Sequence, residues 1–265
     1  MNEIHQTAIV APTVKMGQGN KIGPYCILSG DIELGNNNEL KSHVIIDSNG
    51  KFIIGNNNIF FPFVSLNVPQ DKKFNGEYSE LIIGDENVFR EYSTANSGTE
   101  LGGAITRIGS RCLFLMSSHI AHDCTVGNNV VLANNVAIAG HVEVGKFVII
   151  GGQSAVLQGT KIGEHAIIGG MSGISGDVIP YGVVHGERAH LLGVNLVGLK
   201  RRGFSRETML NIKKTYDKAF DKSDSAFAEH IDSILKHENL CVEARSMIEF
   251  IRDNSKKSRS LCKPQ

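Results

Sequence analysis

The chain has no excess of charge of either sign, since 27 Lys and Arg balance 27 Asp and Glu. That argues against a nucleic-acid binder, for which a basic surplus is expected. It has no apolar run approaching the roughly 20 residues of a membrane helix. The opening MNEIHQTAIV lacks both a basic n-region and a continuous apolar h-region, so the expectation is a cytoplasmic protein without a transmembrane segment. It has no CxxC pair, and its five cysteines are an odd number, which speaks against a disulfide framework and against a zinc ribbon.

What the chain does have is a period of six. Aliphatic or aromatic residues occupy Ile108, Phe114, Ile120, Val126, Leu132, Ile138, Val144, Ile150, Val156, Ile162, Ile168 and Ile174 without a miss. Six matches neither the 3.6 residues of a helical turn nor the alternation of a lone strand, so it belongs to a larger repeating unit. Hexads of this kind read as a parallel β-helix. The same rhythm runs from Ile4 to Phe52, slips, and restarts at Ile54 and Ile83. Cys26, Cys112 and Cys124 each follow a hexad residue by four places, where other repeats carry Ser, Val, Ala or Thr, and read as small buried packing residues.

Two segments break the rhythm, a polar one at 67–80 and a Gly-rich one at 97–106. Loops thrown out of a solenoid often carry function, although simple surface insertion explains them equally well. The pattern ends near Pro180. Ser205 is a candidate N-cap for a segment in which Met209, Ile212, Tyr216 and Phe220 recur at helical spacing;. Two more amphipathic segments follow, near 225–237 and 242–253, and the final DNSKKSRSLCKPQ reads as disordered;. The expected organisation is a mainly β chain, with a parallel β-helix over 1–194 and a small α-helical domain over 195–265.

If three hexads make one triangular turn, residues eighteen apart stack at one strand spacing, about 4.8 Å. Gly140 then lies over His122, with His141 one residue further and His119 on the same turn. Asp123 adjoins His122, but successive strand residues face opposite ways unless they turn a corner. A histidine titrating near neutrality suits a general base, and a glycine leaves a backbone N–H accessible as an oxyanion donor. Clustered histidines on a β-helix could also hold zinc, and spacing does not choose between the two.

The string SSHIAHDCTVGNNVVLANNVAIAGHVEVG, preceded by NVPQDKKFNGE and followed by GVNLVGLKRRGFSRE, closely resembles the acyl carrier protein:UDP-N-acetylglucosamine O-acyltransferases of lipid A biosynthesis. The resemblance covers nearly the whole chain, in order. It implies a left-handed parallel β-helix and a cytoplasmic homotrimer with active sites between subunits. The implied enzyme moves an acyl chain, usually 3-hydroxylated, from the phosphopantetheine of acyl carrier protein to the 3-hydroxyl of UDP-N-acetylglucosamine. His122 would correspond to the general base, Asp123 to its supporting carboxylate and the Gly140 N–H to the oxyanion donor, with His119 and His141 contacting substrate. Asp71 and Lys73, with Gln70 beside them, match residues that bind the sugar nucleotide. Asn195, Arg201 and Arg202 match positions near the uridine diphosphate, where guanidinium suits phosphate.

A thioester donor is already activated, so this chemistry calls for no metal or other cofactor. Gly170 corresponds to the residue that limits acyl length, and a glycine there leaves room for a long chain. Lys213 and Lys214 offer a basic stripe suited to an acidic carrier protein. Two departures stand out. Leu157, followed by Gln158, occupies a position where a histidine is common, and Arg188 stands where histidine is frequent, so one substrate contact should be weaker. Rival readings are the related N-acyltransferase acting on 3-acylated glucosamine, a zinc lyase of the γ-carbonic-anhydrase type, and a non-catalytic solenoid.

Overall fold

The computed structural model describes residues 1–221, 226–256 and 260–265; Ser225, where the second amphipathic segment is expected to begin, lies outside the described residues. Most strands are two residues long and pair in parallel with the strand one coil later. His119–Ile120 pairs with Ala137–Ile138, which pairs with Ala155–Val156 in unbroken register. The eighteen-residue coil inferred from the hexads is therefore the pairing distance. Among the described residues the strands form sheets of 11 and 15 members. The larger sheet bends round a corner, because Ile27–Leu34 and Ile45–Ile54 run straight through it. Three faces result, and they form a left-handed parallel β-helix.

The hexad residues fill the axis of the coil. Leu132, Ile138 and Ile150 are fully buried, and the aromatic members Phe60, Phe89 and Phe114 stack above one another inside. Burying one such side chain stabilises the fold by about 1.5–3 kcal/mol. One corner is lined by a ladder of buried asparagines. Asn20, Asn38, Asn58 and Asn87 each donate from Nδ2 to a glycine carbonyl, those of Gly35, Gly55, Gly84 and Gly109. The Cys112 thiol takes over that task toward Gly127, and Cys26, Cys112 and Cys124 are all buried, as small packing residues should be.

The strands continue past Pro180, where the hexad pattern stops. Gly182–His185 adds in parallel to Ile167–Ile168 and then turns into the antiparallel strand His190–Val194. Four helices follow, α1 Leu196–Arg201, α2 Arg206–Ala219, α3 Phe227–His237 and α4 Val242–Lys256. Ser205 caps α2 by accepting from the Thr208 N–H. The short α1 has no amphipathic period to betray it. The tail is a correction to the disorder expected from its composition: residues 257–259 lie outside the described residues, but Leu261 bridges Asp177 and Cys262 is buried. Its backbone satisfies the last coil, since the Leu191 N–H donates to the Lys263 carbonyl, and Asp177 is further held by Asn254 Nδ2 at 2.9 Å.

An aromatic stack joins the coil to the link between α1 and α2. His165 lies between Phe147 and Tyr181 with the edge of Phe204 against it, and its Nδ1 has no hydrogen-bond partner among the described residues. Burial pushes its pKa down to about 4, against the pull of Glu164 and with help from Arg202 and Lys146. A histidine buried neutral stabilises the fold fully above its unfolded value near 6.5, and that contribution is lost as pH falls toward 4. Thermal unfolding followed from pH 7 to pH 4 should therefore show a steeper loss of Tm for the natural chain than for His165→Phe, which removes the titrating group.

Candidate active site

The His122 and Asp123 side chains share a corner, and the corner conformation is what brings them together. Asp123 adopts φ +59°, a left-handed backbone that turns the chain between faces and costs roughly 1–2 kcal/mol for a residue with a Cβ. Successive side chains therefore stay on one side, and His122 Nδ1 lies 2.7 Å from Asp123 Oδ2. An ionised carboxylate only accepts, so Nδ1 carries the proton and Nε2 is the free, basic nitrogen. His141, at φ +60° on the next coil, crosses the His122 ring edge-on at 5.1 Å, with its Nε2 3.7 Å from Asp123 Oδ2.

Gly140 sits directly against the His122 ring. A Cβ built there would stand 2.5 Å from His122 Cε1 and 2.7 Å from Nε2, so only glycine lets the imidazole occupy its place. The carbonyl of Gly140 accepts from Gly159, whereas its N–H has no acceptor among the described residues. The imidazole and a glycine whose N–H has no acceptor among the described residues thus pack against each other. His119, on the adjoining strand, is hydrogen bonded through Nδ1 to Thr94 Oγ1 at 2.8 Å. Burial, and then the neighbouring His122, lower its pKa.

The Asp123 carboxylate is 1% exposed and crowded with donors. Besides His122 it receives the Thr99 N–H on Oδ1 at 2.8 Å and the Thr99 hydroxyl on Oδ2 at 2.6 Å, while its own N–H donates to Thr106 Oγ1. Thr99 and Thr106 belong to the Gly-rich segment at 97–106, which the sequence left without a role. Atoms of His122, Asp123 and His141 lie within 4.8 Å of one another and could hold a metal ion. The donor set fits a hydrogen-bonded dyad better, because Oδ2 already accepts two hydrogen bonds and His122 Nδ1 faces the carboxylate.

The first loop comes close as well. Asp71 and Lys73 line a cleft of about 480 Å³ together with Thr99, Glu100 and Leu101 of the second loop. Asp71 Oδ1 accepts from the Lys73 N–H at 3.0 Å, and Gln70 is exposed beside it. Gln158 is exposed one coil beyond Gly140, and Leu157 next to it is 58% exposed. Gly170 lies on the opposite edge of the face floored by His119, Ala137, Ala155 and Gly173, and a Cβ there would meet only backbone atoms of the Gly151–Gly152 turn.

Three expected residues lie away from this patch within one chain. Asn195 is 3% exposed, capping α1 through Gly198 N and donating to the His165 carbonyl. Arg202 donates to the Phe147 carbonyl at 3.0 Å and lies over that ring, and Arg201 is exposed beside it.

The hexad coils define a hexapeptide-repeat protein, and residues 105–140 match the family description bacterial transferase hexapeptide (six repeats). Residues 177–262 match Udp N-acetylglucosamine O-acyltransferase, domain 2. Relatives named acyl-[acyl-carrier-protein]–UDP-N-acetylglucosamine O-acyltransferase include that of Thermodesulfovibrio yellowstonii, 43% identical over 99% of this chain and 100% of its own. That of Caulobacter vibrioides is 46% identical over 99% and 98%. A solved LpxA structure from Acinetobacter baumannii superposes with a TM-score of 0.88 at 37% identity, covering 99% of both chains. The chain belongs to the acyl-[acyl-carrier-protein]–UDP-N-acetylglucosamine O-acyltransferase family.

Replacing Gly140 by Ala places a methyl group where the His122 ring stands. Alanine keeps the backbone N–H, so the loss expected is that of a displaced imidazole: steady-state kinetics should show kcat reduced by roughly 10²–10⁴, with KM for either substrate little changed and the thermal midpoint close to that of the natural chain.

Proposed function

We propose that this chain transfers an acyl group from acyl carrier protein to the 3-hydroxyl of UDP-N-acetylglucosamine, the first step of lipid A biosynthesis. The observation that carries the reading is His122, held at Nδ1 by a buried carboxylate and packed against Gly140, whose N–H has no acceptor among the described residues. In the proposed reaction Nε2 removes the proton from the sugar hydroxyl as its oxygen attacks the thioester carbonyl. The Gly140 N–H receives the developing oxyanion. Collapse breaks the C–S bond, and the imidazolium returns its proton to the departing phosphopantetheine thiolate. Every bond change is met by these groups and the activated donor, so no resident cofactor is invoked.

Quaternary structure would complete the site. Leu113, Val131, Ile149, Ile167 and Val183 form one registered column on the outside of a face, partly exposed in the single chain. Such a column supports a homotrimer, in which Arg201 and Arg202 of one subunit would approach the dyad of another. No helix among the described residues is long and apolar enough to cross a membrane, in keeping with a cytoplasmic enzyme. For the carrier, α1 and α2 offer a hollow of about 260 Å³ floored by Leu196, Val197, Met209 and Leu210 and rimmed by Lys200, Arg206 and Lys213. Lys213 pairs with Asp217 on its own helix, and Lys214 borders the adjoining hollow.

Mass spectrometry of the product formed from UDP-N-acetylglucosamine and a panel of acyl carrier thioesters tests the reading. The expected result is an ester on the sugar 3-oxygen, preference for a long chain through the open Gly170, and at least a 10²-fold loss in His122→Ala. Acylation of an amino group, or a His122→Ala variant as fast as the natural chain, would overturn it. Charge reversal at Lys213 and Lys214 should raise KM for the carrier while KM for the sugar nucleotide holds, and an unchanged carrier KM would remove these lysines from docking.

A further inference from the structure

The Gly-rich segment at 97–106 is pinned to the buried carboxylate more tightly than surface insertion requires. Thr99 is 4% exposed and gives Asp123 both its hydroxyl and its N–H. Its carbonyl is occupied in turn by the N–H groups of Gly102 and Ala104, at 2.9 and 2.7 Å. Gly102 packs so closely that an added Cβ would lie 2.0 Å from Asp123 Cγ. At the far end of the segment Thr106 Oγ1 accepts the Asp123 N–H. The loop therefore grips Asp123 from three sides. The same Thr99 also lines the cleft that holds Asp71 and Lys73.

We propose that Thr99 is a positioning residue for the acyl-transfer reaction: it clamps the Asp123 carboxylate, which in turn fixes the tautomer and the orientation of His122. The proposal rests on the reading of His122 as the base. A carboxylate with two free rotations would present either oxygen to Nδ1, and the imidazole would follow it. With the Thr99 hydroxyl on Oδ2 and the Thr99 N–H on Oδ1, the carboxylate plane is set, and only Oδ2 reaches His122. The hydrogen bond then keeps the proton on Nδ1 and leaves Nε2 free against Gly140;. Because Thr99 also borders the cleft between the loops, ordering of the second loop and orientation of the base go together.

Thr99→Val keeps the shape and the backbone N–H but removes the hydroxyl, and Thr99→Ser restores it. The expected result is a kcat lowered roughly 10-fold to 100-fold in Thr99→Val, the usual cost of losing such a supporting partner. KM for UDP-N-acetylglucosamine should stay within about twofold, and Thr99→Ser should recover most of the rate. An independent readout is the ¹⁵N spectrum of histidine-labelled protein without substrate. His122 should show a single tautomer protonated on Nδ1 in the natural chain and in Thr99→Ser, and a mixture in Thr99→Val. Natural-chain kcat and tautomer in Thr99→Val, a loss confined to KM, or a Thr99→Ser variant as impaired as Thr99→Val would each overturn the proposal. Should the natural chain make no acylated sugar nucleotide, the functional reading falls and the tautomer comparison alone decides the role of Thr99. If Thr99→Val fails to fold, Thr99→Ser against the natural chain in both readouts decides, and a tautomer mixture in Thr99→Ser overturns the proposal.

Discussion

Each coil is hydrogen bonded through its backbone to the coil before it, and the rest of the molecule depends on that ladder. Val131 N donates to the Val148 carbonyl, and Ile149 N to that of Ala166. Parallel pairing fixes strands about 4.8 Å apart, and the hexad residues inside the coil set the register, since a slip of one would turn every apolar side chain outward. Chain number thereby becomes a coordinate along the axis. His122 and Gly140 are neighbours for the same reason that Ile120 and Ile138 are.

The site takes this regular frame and departs from it at a few atoms. Glycine replaces side chains at the two closest approaches, Gly140 against the imidazole and Gly102 against the carboxylate. Left-handed corner residues, Asp123 and His141, turn adjacent side chains into one patch. A carboxylate buried to 1% exposure is costly unless its charge is met by donors, and here His122 and both donors of Thr99 meet it. The burial removes water from around the carboxylate, which strengthens each of these interactions. Rigidity of the coil below and closure by the loop above hold the dyad from opposite sides.

Much of this was legible because solenoid geometry is periodic. The hexads exposed the coil length, and the coil length placed His122, Gly140 and His141 together. The buried thiols of Cys26, Cys112 and Cys124 followed from their shared offset, and the cap of α2 from Ser205. What escaped notice lies where the period fails. Thr99 stands in an insertion, so its number gives no axial position, and its contact with Asp123 is a tertiary event without a sequence signature. The corner at Asp123 was left open because a left-handed aspartate has no local marker. The α1 helix is too short to show a period, and the ordered tail has a polar composition whose few anchors, Leu261 and Cys262, do not reveal the strand edge they meet. Asn195 matched a ligand position, yet its amide is spent within the chain, on the α1 cap and the His165 carbonyl.

The central claim is that one coil spacing supplies both the base and the oxyanion donor to a single reacting ester. A crystal structure of the protein with its acylated sugar-nucleotide product tests this most directly. The account expects the ester oxygen on the sugar 3-position about 2.7–3.2 Å from His122 Nε2 and the ester carbonyl oxygen at a similar distance from the Gly140 nitrogen. A product whose ester lies out of reach of His122 Nε2, or whose carbonyl is received by some other donor, would contradict it.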